Sequence, residues 1–336
     1  MKNILLIISL LTFHSSLNQT LKAKVVDHKG NPIEGAKVFF NQTTVSSSTN
    51  KSGVFEISKP AAVGNAYLII YHPLYESLIE SETNDLLPTY TLNQKADNLK
   101  IINYNSSPFS KEEMCSVFKR TLLGTTRNAG DSKIVNQEDI SLKFDESNNT
   151  LVAKAAQPLY IINNALGYHI EYHLEEFEIQ FSTQSLEDEN IDFIYNSGYS
   201  YFKDVDPSKT KNRDKILQSS FRYFFKSLIE ENYKALDYKI VVDAKKIKPK
   251  ELFRVKKEND NSYRITFNSR IIENQDNEYF LAEIEFYQKN EAKILELFKP
   301  FLLVDQFGNI KNSGDFKTTD NVSNKRLADL LPINYN

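Results

Sequence analysis

Residues 165–177, ALGYHIEYHLEEF, place His169 and His173 four apart among Glu171, Glu175 and Glu176, with His173 and Glu176 forming H-x-x-E. On a helix the two imidazoles would share a face and could clasp one ion. The apolar residues decide otherwise: Tyr168, Ile170, Tyr172 and Leu174 alternate with His169, Glu171, His173 and Glu175, the period of two that marks a strand. At a rise of about 3.3 Å per residue the two histidines stand roughly 13 Å apart, whereas zinc holds its ligands at about 2 Å. After Leu174 the alternation restarts in the opposite phase with Phe177, Ile179 and Phe181, so an extra residue at Glu175–Glu176, a β-bulge, is expected. The H-x-x-E has the form used by zinc carboxypeptidases, which need a further histidine downstream. His173 is the last of the five histidines, after His14, His28, His72 and His169. No metal site and no cofactor are expected, and the two histidines are read as the solvated polar face of a half-buried strand.

A strand at the centre of the chain makes the rest read as mainly β. From Thr20 to about Leu92 short alternating runs are separated by turns: LKAKVVD, then HKGNPIEGA with Gly30, Pro32 and Gly35, then AKVFF, then NKSGVFEIS turning at Gly53. AYLIIYHPLY follows, and Pro73 ends it or confines it to an edge. An all-β sandwich is the economical reading. LKAKVVDHKGNPIEGAKVFFNQTTVSSSTNKSGVFEIS resembles the carboxypeptidase regulatory-like domain, through D-x-x-G-x-P-I-x-G-A and T-N-x-x-G-x-F-x-I. That resemblance implies a prealbumin-like β-sandwich over residues 20–95, an accessory module without catalytic residues.

Ahead of it, MKNILLIISLLTFHSSLNQT carries Lys2 and an apolar run from Ile4 to Leu11, then small polar residues, the layout of a signal peptide over 1–19. The run is too short to span a bilayer as a helix, so no transmembrane span is expected after its removal. The only cysteine is Cys115, so no internal disulfide supports the fold, and it is read as a buried, inert thiol. With 336 residues, 40% hydrophobic and 25% charged, the chain has room for about two globular domains. A net charge of −3 supplies no field for gathering nucleic acid.

A polar, proline-bearing linker is expected over 96–108, followed by an α+β domain over 109–336 with a mostly antiparallel sheet and two main helices. The first helix is announced by FSKEEMCSVFKRTLLG: Ser110 and Glu113 form a capping box, Phe109 and Met114 a hydrophobic staple, and Gly124 the stop. The second is read from about Asp214 to Tyr233 on the stripe Ile216, Leu217, Phe221, Phe224, Phe225, Leu228 and Ile229. DISLKFD with TLVAKAA, and YRITFNSRII with YFLAEIEFY across ENQDN, are read as hairpins. Ala244 to Lys257, AKKIKPKELFRVKK, is locally basic from Lys245 to Lys257 and is read as a solvated connector, with contact to an anionic surface as the other reading. LLGTTRNAGDSKIVNQEDISLKFD, PLYIINNALGYHIEYHLEEF, RDKILQSSFRYFFKSLIEENY and RLADLLPINY resemble the C-terminal part of exported Bacteroidota-type proteins that begin with the regulatory-like domain. That resemblance implies an envelope location and transfers no activity. The chain departs from it at Leu217 to Ser220, where an aromatic and a glycine before the serine are expected.

No nucleophile elbow, phosphate loop or dinucleotide fingerprint is present. The expected function is therefore non-catalytic: an exported protein, periplasmic or outer-membrane-associated, presenting its sandwich and α+β domain to an envelope protein or glycan. The rival is a hydrolase of envelope or extracellular substrates whose site forms only in three dimensions, around Arg213, Ser220 and Tyr199.

Overall fold

The computed structural model describes residues 20–60, 66–80, 87–95, 107–233, 238–259, 261–272, 281–288, 291–320 and 326–336. The leader expected over 1–19, most of the linker and the ENQDN turn lie outside them. The fold is mainly β, with antiparallel sheets and few helices. Among the described residues the hydrophobic side chains gather into three cores.

The N-terminal unit contains β1 (Thr20–Asp27), β2 (Lys37–Phe40), β3 (Ser46–Ser48), β4 (Val54–Ser58), β5 (Leu68–Tyr71), β6 (Leu78–Glu80) and β7 (Thr89–Leu92). They form two sheets, β4-β1-β7 and β3-β2-β5-β6, antiparallel throughout except for β1 beside β7. The sheets share one core of Ala23, Val25, Val38, Phe40, Phe55, Ile57, Leu68, Ile70 and Tyr90. The turns follow from side chains that mimic backbone: Asp27 Oδ1 accepts from the amides of Lys29 and Asn31, and Asn50 Oδ1 from those of Ser52 and Val54. Gly53 closes the second turn at φ +73, and a Cβ there would lie 2.4 Å from the Val25 carbonyl oxygen. Strand β5 stops two residues before Pro73.

The middle unit starts with α1 (Lys111–Leu123) and α2 (Arg127–Gly130). Helix α1 begins on the capping box expected from sequence: Ser110 Oγ accepts from the Glu113 amide at 3.2 Å and Glu113 Oε2 from the Ser110 amide at 2.8 Å. It buries Met114, Val117, Phe118 and Leu122. Six strands follow: β8 (Ser132–Ile134), β9 (Ile140–Asp145), β10 (Thr150–Ala155), β11 (Leu159–Asn163), β12 (Tyr168–Phe181) and β13 (Ile191–Asp204). Strands β9 and β10 form the expected hairpin. Strand β12 is the spine of the sheet: β11 pairs its first half, β10 its second, and β13 runs antiparallel along its whole length. The register steps from Leu174↔Gly198 to Glu176↔Ser197, leaving Glu175 as the extra residue of a bulge. Because of that bulge Tyr168, Ile170, Tyr172, Phe177, Ile179 and Phe181 all face the core that α1 covers.

The third unit contains α3 (Thr210–Gln218), α4 (Phe221–Ile229), β14 (Lys239–Val242), β15 (Lys245–Ile247), α5 (Pro249–Leu252), β16 (Phe253–Asn259), β17 (Ser262–Phe267), α6 (Ser269–Ile272), β18 (Ala282–Gln288), β19 (Glu291–Leu297), β20 (Phe301–Val304) and β21 (Phe316–Asp320). A five-stranded sheet, β15-β14-β18-β19-β21, and a three-stranded one, β16-β17-β20, share a core with Phe224, Phe225 and Leu228 of α4.

Three expectations change here. The single helix read over 214–233 is two, broken at Ser219 and Ser220. Both serines donate back to helix carbonyls, Ser219 Oγ to Ile216 at 3.0 Å and Ser220 Oγ to Leu217 at 2.6 Å. Ser220 Oγ then accepts from the Tyr223 amide as the N-cap of α4. The hairpin read between 263–272 and 279–287 does not form: β17 pairs β16 and β20, while β18 pairs β14 and β19. Asn268 is the cause, since its carbonyl accepts from the amides of Ile271 and Ile272 and its side chain from that of Arg270. The chain thereby coils into α6 and leaves the sheet. The basic stretch Lys245 to Lys257 is no connector but β15, α5 and most of β16, with its cations exposed.

The segment from 327 to 336 stitches the three units. Leu327 and Ala328 fill the middle core, and Asp329 accepts from Thr126 Oγ1 and Asn128 Nδ2, each at 2.7 Å. The Ile333 amide donates to Gln42 O of the N-terminal unit, and the Ile333 carbonyl accepts from Asn309 of the third. Among the described residues no helix is long and apolar enough to cross a membrane.

Candidate functional site

The outer face of the N-terminal four-stranded sheet should be wet if that unit stood alone, yet Phe39 and Ile69 on it are fully buried. What covers them is the polar face of β12. Glu171 and His173, two apart, point at β2 and β5, and their cross-strand neighbours on β13 are Tyr201 and Tyr199. His173 is 6% exposed, its ring 5.1 Å from Phe39 and edge-on to Tyr71 at 4.7 Å. The expectation of a solvated face is therefore corrected for these two residues: a second sheet lies on them. His169 keeps its exposure, beside Lys203 at the end of the strand.

The charges in this seam are matched. Glu171 Oε1 lies 3.0 Å from His173 Nε2, and Glu171 Oε2 accepts from Lys37 Nζ, which sits 4.0 Å over the Tyr201 ring. Burial pushes the Glu171 carboxyl up, but the hydrogen bonds from His173 and Lys37 outweigh it and hold it below the usual carboxylate value. Burial, with Tyr160 and Glu171 adding to it, pushes the Tyr71 phenol up to about 12. A histidine steered by a carboxylate is half of a nucleophilic machine. Here the imidazole meets aromatic rings, and the trio acts as a joint that seats one sheet on the other. Backbone pairing continues the joint: Gln42 N donates to Ser200 O at 2.7 Å and Phe202 N to Thr43 O at 2.9 Å.

The residues of the hydrolase reading sit elsewhere. Arg213 on α3 is almost wholly buried and grips Asp204 through both Nη atoms, at 2.7 and 2.8 Å. Its Nε donates to Leu166 O at 2.8 Å, its Nη2 also reaches the carbonyls of Gly167 and Asp206, and its plane lies 4.0 Å from the Tyr168 ring. It locks the turn before β12 to the end of β13. Ser220 caps α4. Tyr199 is five residues from Asp204 along β13, about 17 Å away at strand rise, so the three do not converge. Arg222 donates to the carbonyls of Pro332 and Tyr335. Burial lowers its guanidinium to about 10 despite nearby Asp305.

A groove of about 720 Å³ runs along α1 to α2, lined by Lys111, Cys115, Lys119, Arg120, Thr126 and Gln137 among others. Cys115 is half-buried there, its Sγ 4.0 Å from Gln137 Oε1, so the thiol expected to be buried is partly open to a groove. Arg120 is held by Asp188 and the Leu186 carbonyl. Among the described residues no three of His, Cys, Asp and Glu gather closely enough to share a metal ion.

Lys37, Phe39, Tyr71 and Glu171 were missed by sequence reasoning as a set. The available signal was KVFF and LIIY: alternation fails there, which is what a strand covered on both faces shows.

No family model matches the chain, and no curated protein does. Among solved structures it is similar to a DUF3823 family protein from Bacteroides ovatus, at TM-score 0.18 and 9% identity, over 57% of this chain and 83% of that one. It is likewise similar to a DUF3823 family protein from Parabacteroides merdae, at TM-score 0.17 and 11% identity, over 57% and 82%. Scores this low do not establish a shared fold.

Proposed function

We propose that this chain is an exported, non-catalytic binding protein of the cell envelope, presenting its N-terminal regulatory-like unit and its α+β region to a protein or glycan partner. The observation that carries the reading is how the chemically able side chains are used. His173 and Glu171 are sealed between two sheets with Lys37, Arg213 is saturated by a carboxylate and three carbonyls, and Ser220 is bonded at both ends of a helix break. The leader-like first 19 residues support export, and the resemblance of residues 20–95 to an accessory module supports a recognition role. Mild crosslinking of the full chain in an envelope extract, run beside a hydrolase panel on the purified protein, tests the proposal. A reproducible partner with no turnover is the expected result. Turnover of any substrate abolished by Arg213→Ala without loss of folding would overturn it.

A further inference from the structure

Strand β13 has two halves with different edges. From Ser200 to Phe202 its free edge is taken by Asn41–Thr43: Ser200 N donates to Asn41 Oδ1 at 2.9 Å, Ser200 O accepts from Gln42 N, and Phe202 N donates to Thr43 O. In an antiparallel ladder alternate residues turn their N–H and C=O the same way. The amides and carbonyls of Gly198, Asn196 and Ile194 therefore continue that row, and among the described residues no backbone pairs with them. Natural proteins blunt such an edge with lysine, proline or a bulge. Residues 191–198, IDFIYNSG, contain no lysine and no proline; of the two register shifts, one places its extra residue, Glu175, on the neighbouring strand and the other places Asp192 on β13 just before the stretch from Ile194 to Gly198.

The side chains beside this edge share a character. Phe193 is 55% exposed and Tyr195 45%, on the face that also carries Tyr199. Glu178 stands across from Tyr195, Glu176 across from Ser197, and Glu175 and Asp192 flank them, all four exposed. Two cations on this face, Lys154 two residues along β10 from Val152 and Lys143 beyond Val152 on β9, lie on the side of β12 away from β13. Rings that attract cations over their faces, interleaved with carboxylates, favour a positively charged ligand. A second copy of the chain would set these same carboxylates against each other.

We propose, building on the binding reading above, that the edge of β13 from Ile194 to Gly198 accepts an extended basic segment of a partner protein as an added strand, extending the row that Asn41–Thr43 begins. Main-chain pairing would supply affinity, and alternate Lys or Arg side chains over Phe193 and Tyr195 beside Glu176 and Glu178 would supply selectivity.

The test uses the full chain and labelled eight-residue peptides followed by fluorescence anisotropy: alternating lysine and threonine, alternating glutamate and threonine, and the lysine peptide N-methylated at every amide. The lysine peptide should bind about tenfold or more tightly than either of the others, and the double variant Phe193→Lys, Tyr195→Lys should lose a similar factor. Both positions are exposed, so circular dichroism should show an unchanged fold. Equal binding of the N-methylated peptide would reduce the effect to net charge and overturn the proposal. So would a dimer in sedimentation that the double variant dissolves, since a second copy would then be the occupant. Partners crosslinked elsewhere on the chain, with no peptide discrimination at β13, would sink this inference alone; substrate turnover would sink the binding reading instead.

Discussion

Replacing Arg213 by lysine keeps the charge and removes the plane, which makes it the sharpest probe of what that residue does. Lysine can still meet Asp204, but a single ammonium cannot reach both carboxylate oxygens and Leu166 O together. The Leu166 carbonyl is then orphaned in a buried turn, at about 1–3 kcal/mol. The Gly167 carbonyl suffers less, because the amides of Val205 and Asp206 already donate to it. Asp204 is 35% exposed, so water replaces part of its lost bond and its share is about 1 kcal/mol or less. Stacking on Tyr168 adds about 0.5–1 kcal/mol. The sum is about 3 kcal/mol, or a fall of about 1–2 M in urea midpoint. With no tryptophan in the chain, far-UV circular dichroism is the signal. Arg213→Ala should cost more and carry a pH signature. Hydrogen bonding to Arg213 holds the Asp204 carboxyl below its usual 3.8. A depressed carboxylate stabilises the fold above that value and loses its contribution as pH falls through the lower folded one, so the gap between wild type and Arg213→Ala should narrow by the Asp204 share in that acid range, while the carbonyl and stacking shares persist. An Arg213→Lys midpoint within about 0.5 kcal/mol of wild type would refute the structural assignment and return Arg213 to the list of ligand-facing residues.

Glu171→Gln keeps the shape of the seam and removes the carboxylate that meets Lys37 and His173. Breaking a fully buried pair costs about 3–5 kcal/mol, and the 25% exposure of Lys37 lowers this to about 2–3. The penalty should be full at neutral pH and vanish in acid: the Glu171 contribution is present above the usual 4.5 and is lost as pH falls through its lower folded value, as urea midpoints at several pH values would show. At Gly308, φ is +84 and an added Cβ would lie 2.1 Å from the Arg222 carbonyl oxygen and 2.7 Å from the Lys226 amide nitrogen on α4. Gly308→Ala should therefore cost about 2–4 kcal/mol, whereas Gly30→Ala, also at positive φ but with open space, should cost only about 1–2; equal thermal shifts would remove the contact between this turn and α4 as a stabilising feature. Ser220→Ala should cost about 1 kcal/mol in the same melts, as the loss of a helix cap does.

How far the sequence could be read follows from the range of each interaction. Ser110 with Glu113, Asp27 with Asn31 and Asn50 with Val54 bond within four residues, so their turns and caps stand in the letters themselves. The bulge at Glu175 was legible for a related reason: a two-residue period that changes phase must carry an extra residue somewhere. The break at Ser219–Ser220 was written just as locally, but the apolar stripe running through it was the stronger signal and concealed two serines bonded back to their own helix. Pairing of β17 with β20 instead of β18 depends on whether the chain coils at Asn268, a choice that alternation on either side does not record. The seam was hardest. Alternation assigns Glu171 and His173 to the face of β12 away from its core, and the structure keeps them there, but nothing in the period states what stands opposite. The counterparts were in view roughly 130 and 100 residues earlier, where KVFF and LIIY refuse to alternate. A strand with no polar face needs two apolar or charge-matched covers, and a distant strand with charges on its outer face can be the second cover. The same logic applied to IDFIYNSG runs the other way: an exposed edge and exposed rings, without the lysine or proline that would protect them, form a surface whose cover has still to arrive.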